Sequence, residues 1–151
     1  MMDINDIKNH IKNKSRLIGV DMGSKRVGLS ISDENRKIAT PLKTINYENI
    51  QYLTDELKKI ANENNVHAII FGNPKNMDGT EGSSSQSVKD KVKLISEKIQ
   101  IPIFLWDERL STVGAFNLSS ELDINVSKRV KNIDKNAAAF ILQGVLDFLN
   151  N

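Results

Sequence analysis

Three short, nearly unbroken apolar runs constrain this chain more than any other feature: Leu17 to Val20, Val66 to Phe71 and Ile101 to Trp106. Each is shorter than a buried helix needs and shows little polar alternation, as expected of strands covered on both faces. Between the runs the apolar spacing changes to a helical period. Ile50, Leu53, Leu57, Ile60 and Ala61 form one stripe; Val88, Val92, Ile95 and Ile99 form another. Strand, helix, strand, helix, strand in this order demands crossover connections, so the three runs are expected to lie parallel in one sheet.

Residues 26–32 follow a different rule. Val27, Leu29 and Ile31 alternate with Gly28, Ser30 and Ser32, and Gly23-Ser24-Lys25 precedes them as a hairpin connection. This predicts an antiparallel partner to the first strand. A third strand is expected over 37–45 after the turn Asp33-Glu34-Asn35. Residues 78–87, rich in Gly and Ser, are expected as a flexible loop. Ser111 is a candidate N-cap for a helix carrying Ala115, Leu118 and Leu122. A basic loop over 125–133 then leads to Asp134, expected to open a last helix with Ala138, Ile141, Val145 and Phe148 on its apolar positions. The reading is an α/β domain over 15–151, a mixed sheet flanked by helices, preceded by a polar arm, 1–14, expected to be poorly ordered.

Composition narrows the chemistry. With 151 residues the chain suits one domain. It has no cysteine, which excludes disulfides and thiolate-held zinc and agrees with a cytoplasmic setting. No apolar run approaches a membrane span, and residues 1–14 lack the apolar centre of a secretory signal. A net charge of +2 permits nucleic-acid binding without arguing for it.

The strand ends carry the chemistry. In parallel sheets the functional crevice lies beyond the carboxyl ends of the strands. There the runs end in Asp21, in Gly72-Asn73, and in Asp107-Glu108. Asp134 is the candidate third acid, because it shares the stripe of Ala138, Ile141 and Val145 and a core-facing carboxylate needs a cation or partner. Singly, each has an ordinary reading: Asp21 as a turn residue, Asp134 as a helix cap, Asp107-Glu108 with Arg109 as a surface ion pair. Together, at matched topological positions, they suit Mg²⁺ or Mn²⁺, one or two ions, and metal-assisted phosphodiester hydrolysis. A Ser-His-Asp system would need a histidine at the strand ends, and the only histidines are His10 and His67.

The motifs resemble a known family. Asp21-Met22-Gly23-Ser24-Lys25-Arg26-Val27-Gly28, Ser32-Asp33, Gly72-Asn73-Pro74 with Met77-Asp78-Gly79-Thr80, Trp106-Asp107-Glu108-Arg109-Leu110-Ser111-Thr112, and Asp134 with Ala137, Ala138, Ile141, Leu142 and Gln143 are similar to the signatures of the YqgF (RuvX-type) family over about residues 16–149. Asn73 departs from the pattern, standing where the family usually has leucine.

The resemblance implies an RNase H-like fold with sheet order 3-2-1-4-5, related to the RuvC resolvases. It implies that Asp21, an acid of the Asp107-Glu108 pair and Asp134 are catalytic metal ligands. Glu108 is preferred and Asp107 kept as the alternative, since neighbours in a strand face opposite sides. The implied activity is a nuclease maturing the 5′ end of precursor small-subunit ribosomal RNA (pre-16S rRNA), with possible contact to ribosomal particles. Holliday junction resolution on branched DNA is the alternative. Lys25, Arg26, Arg109, Lys128, Arg129 and Lys131 are the candidate phosphate-binding residues, and both the 78–87 and 125–133 segments are expected to border the acids. Two other classes compete. An actin-like ATPase would need a second such domain, and a non-catalytic ribosome-assembly factor would not need the acids.

Overall fold

The computed structural model describes the backbone of residues 3–76, 78–110 and 126–151, and the side chains of these residues except 110 and 126–135. Five strands form one sheet in the order β3-β2-β1-β4-β5. They are β1 (Arg16–Met22), β2 (Arg26–Ser32), β3 (Ala39–Asn46), β4 (Val66–Asn73) and β5 (Ile103–Asp107). β1 pairs parallel with β4, and β4 with β5, while β2 runs antiparallel to both its neighbours. The expected sheet order and strand directions are therefore observed.

The alternation of side chains along doubly covered strands builds two cores. Ile18, Val20, Ile69, Phe71 and Ile103 face α1 (Ile50–Glu63) and α2 (Ser83–Ser96), whose Leu53, Leu57, Val88, Val92 and Ile95 complete that layer. Leu17, Ala68, Ile70, Phe104 and Trp106 face α3 (Val126–Leu149), packing on Ile141, Leu142, Val145 and Leu146. Each fully buried aliphatic side chain here contributes about 1.5–3 kcal/mol relative to exposure.

Helix starts are where the fold departs from expectation. α2 begins at Ser83, inside the segment expected as a flexible loop. Ser85 is buried on the same stripe as Val88, Val92 and Ile95, so the serines form the first helical turn, where short hydroxyl side chains are favoured. α3 begins at Val126 rather than at Asp134. Val126, Val130 and Ile133 continue the helical spacing of the later apolar residues, and the intervening lysines disguised it. Lys128, Arg129 and Lys131 are thus helix residues, not loop residues, and Asp134 lies inside the helix rather than at its start. The helix expected from Ser111 lies outside the described residues.

The polar arm contains a short 3-10 helix, Ile4–Asn9, N-capped by the Asp3 side chain. Its Ile7 is fully buried beside Leu17 and Phe104, and the His10 and Phe104 rings stand 6.1 Å apart. No described helix is long and apolar enough to cross a membrane.

Candidate active site

Strand parity selects the acids. Along β1, Leu17 and Gly19 face α3, so Asp21 does too. Along β4, Ala68 and Ile70 face α3, and Gly72 follows them. Along β5, Phe104 and Trp106 face α3, which places Asp107 on the other side. The chain turns into a 3-10 helix at Glu108, and the Glu108 carboxylate lies over Gly72. A Cβ on residue 72 would stand 2.5 Å from Glu108 Oε1 and 2.7 Å from Ile141 Cδ1. Glycine at this strand end leaves room for the acid without displacing either side chain.

Gly19 performs the same service for α3. A Cβ there would stand 2.7 Å from Leu142 Cβ and 3.0 Å from the Ala138 carbonyl. The helix therefore presses onto β1, and Ser30 Oγ donates a 2.7 Å hydrogen bond to the Ala138 carbonyl from β2. This fixes the stripe of Ala138 and Ile141 against the strand ends, one helical turn beyond which position 134 falls.

The electrostatics separate the two neighbouring acids. Burial pushes the Glu108 carboxyl up to about 7, and the nearby charges of Asp21 and Asp107 add to the shift. Asp107 is held below the usual carboxylate range, chiefly by the Arg109 side chain and, against some desolvation, by the Arg109 backbone N–H. The Arg109 guanidinium donates from Nε at 3.0 and 3.1 Å and from Nη2 at 2.6 Å, and its backbone N–H donates at 3.0 Å. Arg109 also reaches the loop before α2, where Asp78 adds to the attraction and Gly79 passes close to its Nη1.

Of the sequence-predicted residues, Asp21 and Glu108 come together on the α3 face, with Asp107 and Arg109 paired beside them. Lys25 and Arg26 are exposed at the hairpin turn that follows Asp21. The side chains of Lys128, Arg129, Lys131 and Asp134 lie outside the described residues. Among the described residues no group of three metal-binding side chains is found. Asp21 and Glu108 are hard oxygen donors whose mutual repulsion a divalent cation would relieve, so the pair fits such an ion.

Sequence reasoning missed the supporting residues. Asn73 faces α2, is buried, and accepts a 2.5 Å hydrogen bond from the buried Ser85 Oγ. Strand parity could have placed it there, since Phe71 two residues earlier faces the same core. Tyr47, buried at the end of β3, donates from its hydroxyl to the Gly23 carbonyl at 2.7 Å and braces the turn after Asp21. No local pattern signals that contact.

The model of the RuvX Holliday junction resolvase family matches residues 15–148. A relative from Pelagibacter ubique, named "Putative pre-16S rRNA nuclease", is 64% identical over the full length of both chains. One of the same name from Clostridium botulinum is 43% identical, covering 89% of this chain and 98% of its own. The Thermus thermophilus RuvC structure in complex with a Holliday junction substrate superposes with a TM-score of 0.55 at 11% identity, covering 91% of this chain and 96% of that one, a likeness of fold. With the family model matching residues 15–148 and a relative 64% identical over its full length, the chain belongs to the RuvX family.

Proposed function

We propose that this protein is a divalent-metal-dependent nuclease that hydrolyses phosphodiester bonds, acting in maturation of the 5′ end of pre-16S rRNA. The observation that carries the reading is the placement of Glu108 over Gly72, beside Asp21, at the carboxyl edge of a RuvC-like sheet. A buried acid held against a second acid is costly unless a cation or proton offsets it.

Asp21 and Glu108 would hold Mg²⁺ or Mn²⁺, with Asp134 as a third ligand from the stripe of Ala138 and Ile141 on α3. When bound, one or two such ions supply an activated water and stabilisation of the departing oxygen. Asp21, from β1, and Glu108, from the turn after β5, would hold the ion between them at the sheet edge. Asp107 does not ligate in this reading; it holds Arg109 at the rim. Lys25, Arg26, Arg109, Lys128, Arg129 and Lys131 attract phosphates without reading sequence. The substrate in this reading is precursor rRNA, in line with the names of the relatives; it is met free or on ribosomal particles, in the cytoplasm.

The family description favours a second reading, Holliday junction resolution. Sequencing of 5′ RNA ends after depletion separates the two. Accumulation of 5′-extended small-subunit precursor is expected. Unchanged ends, together with cleavage of four-way junctions by the purified protein, would transfer the activity to DNA.

A further inference from the structure

The opposite side of the same sheet edge holds a second feature. The turn after Asp21, the end of β3 and the first turns of α1 and α2 enclose two adjoining hollows of about 910 and 390 Å³ that share Ser24. Ser24 is three residues from Asp21, so this groove begins within about 10 Å of Asp21 along the chain.

Its lining suits a nucleotide. Tyr52 borders the larger hollow and is 48% exposed. It stands on the first turn of α1, where its backbone N–H donates to the Asn49 side chain at 2.8 Å, so its ring is carried on a capped helix end. The core stripe of α1 is Leu53, Leu57, Ile60 and Ala61, and Tyr52 lies off it. Lys25 lines the same hollow, and Lys91 lines the smaller one. The Lys91 ammonium donates to the Tyr47 hydroxyl at 3.2 Å and lies 5.9 Å from the Tyr47 ring centre. The residue that braces the turn after Asp21 therefore also holds a cation over the groove. Two lysines and one carboxylate, Glu48, line the pair of hollows, leaving a net positive groove.

We infer that this groove holds a flanking nucleotide of a single-stranded substrate segment, its base stacked on Tyr52 and its phosphates on Lys25 and Lys91. The inference rests on the nuclease reading and specifies its substrate. A base paired within a duplex has no free face to offer Tyr52, whereas every unpaired base does. A groove lined by cations beside an exposed aromatic ring is the combination by which proteins hold single strands.

Fluorescence anisotropy of the full chain in EDTA, where no cleavage occurs, tests it with a labelled single-stranded RNA oligonucleotide, the same sequence as DNA, and a blunt duplex. Tyr52→Ala is expected to weaken binding of both single strands roughly tenfold and to leave the duplex unchanged, whereas Tyr52→Phe binds like wild type. Because Tyr52 is half exposed and outside the core, the unfolding midpoint of the alanine variant is expected to match wild type. Wild-type affinity of Tyr52→Ala for single strands, or an equal loss on the duplex, would overturn the inference. A cleavage assay in Mg²⁺ keeps the two readings apart. Normal cleavage with no Tyr52 effect removes the groove alone; a Tyr52 effect with no cleavage by wild type removes the nuclease alone.

Discussion

The two sides of one sheet edge are built from neighbouring residues and have opposite electrostatics. On the α3 side, the Glu108 carboxyl lies over Gly72 within reach of the Asp21 charge and is pushed up to about 7, chiefly by burial. On the side of α1 and α2, Asp107 is paired with Arg109, Asn73 is hydrogen-bonded to Ser85, and Lys91 is held by Tyr47. Asp107 and Glu108 are consecutive, yet one is neutralised by a cation and the other is pressed against like charge. The lesson is that the side of the sheet an acid faces, not its proximity in sequence, sets its electrostatic surroundings. A residue on the α3 side is tuned by burial among acids; its neighbour on the other side serves the rim.

The sharpest way to break this comparison is to remove each charge in turn. Glu108→Gln is expected to lower Mg²⁺-dependent cleavage about a thousandfold, because losing a metal ligand forfeits several kcal/mol of charge stabilisation. Asp107→Asn is expected to keep activity within about tenfold and to lower stability only slightly, through the loss of the partly exposed Arg109 pair. Turnover numbers and denaturant midpoints of the two variants check this. The reverse ranking would make Asp107 the ligand.

A smaller effect is expected at the cradle. Gly72→Ala places a methyl group within 2.5 Å of Glu108 Oε1 and 2.7 Å of Ile141 Cδ1. Glu108 and Ile141 must both shift. Overpacking of this kind costs about 1–3 kcal/mol, and displacement of the acid is expected to lower turnover by roughly a hundredfold. Wild-type turnover in this variant would show that the glycine serves only packing against α3.

The smallest expected effect is on pH. The folded protein raises the Glu108 pKa above its ordinary value of 4.5, to about 7. Stability from this group is fully present below about 4.5 and is lost as pH rises through 7. In metal-free protein, stability is expected to fall between pH 5 and 8, by no more than about 2 kcal/mol after discounting for the solvent-exposed part of the side chain. Asp107, with a lowered pKa, acts only in more acidic solution and does not mask the trend. Added Mg²⁺ should flatten the slope by favouring the charged carboxylate, and Glu108→Gln should abolish it. Thermal unfolding across this range gives the measurement. A slope surviving in Glu108→Gln would place the titration elsewhere.

By itself the sequence determined the sheet and which acids stand at its strand ends. Apolar runs joined by helical stripes leave few alternatives to parallel strands with crossovers, and strand direction alone carries Asp21, Gly72 and Asp107-Glu108 to one edge. It also restricted the candidate ligand to one of two adjacent residues, since alternation forbids both. Tertiary structure decided what depends on neighbours distant along the chain. That Glu108 rather than Asp107 meets Asp21 follows from the turn out of β5 and from the space over Gly72, which Ile141 bounds 69 residues away. The start of α3 at Val126 was hidden because charged side chains on a helix surface read locally like a loop. The groove by Tyr52 was invisible because an exposed tyrosine has no period; only packing shows which aromatic rings a core has left uncovered.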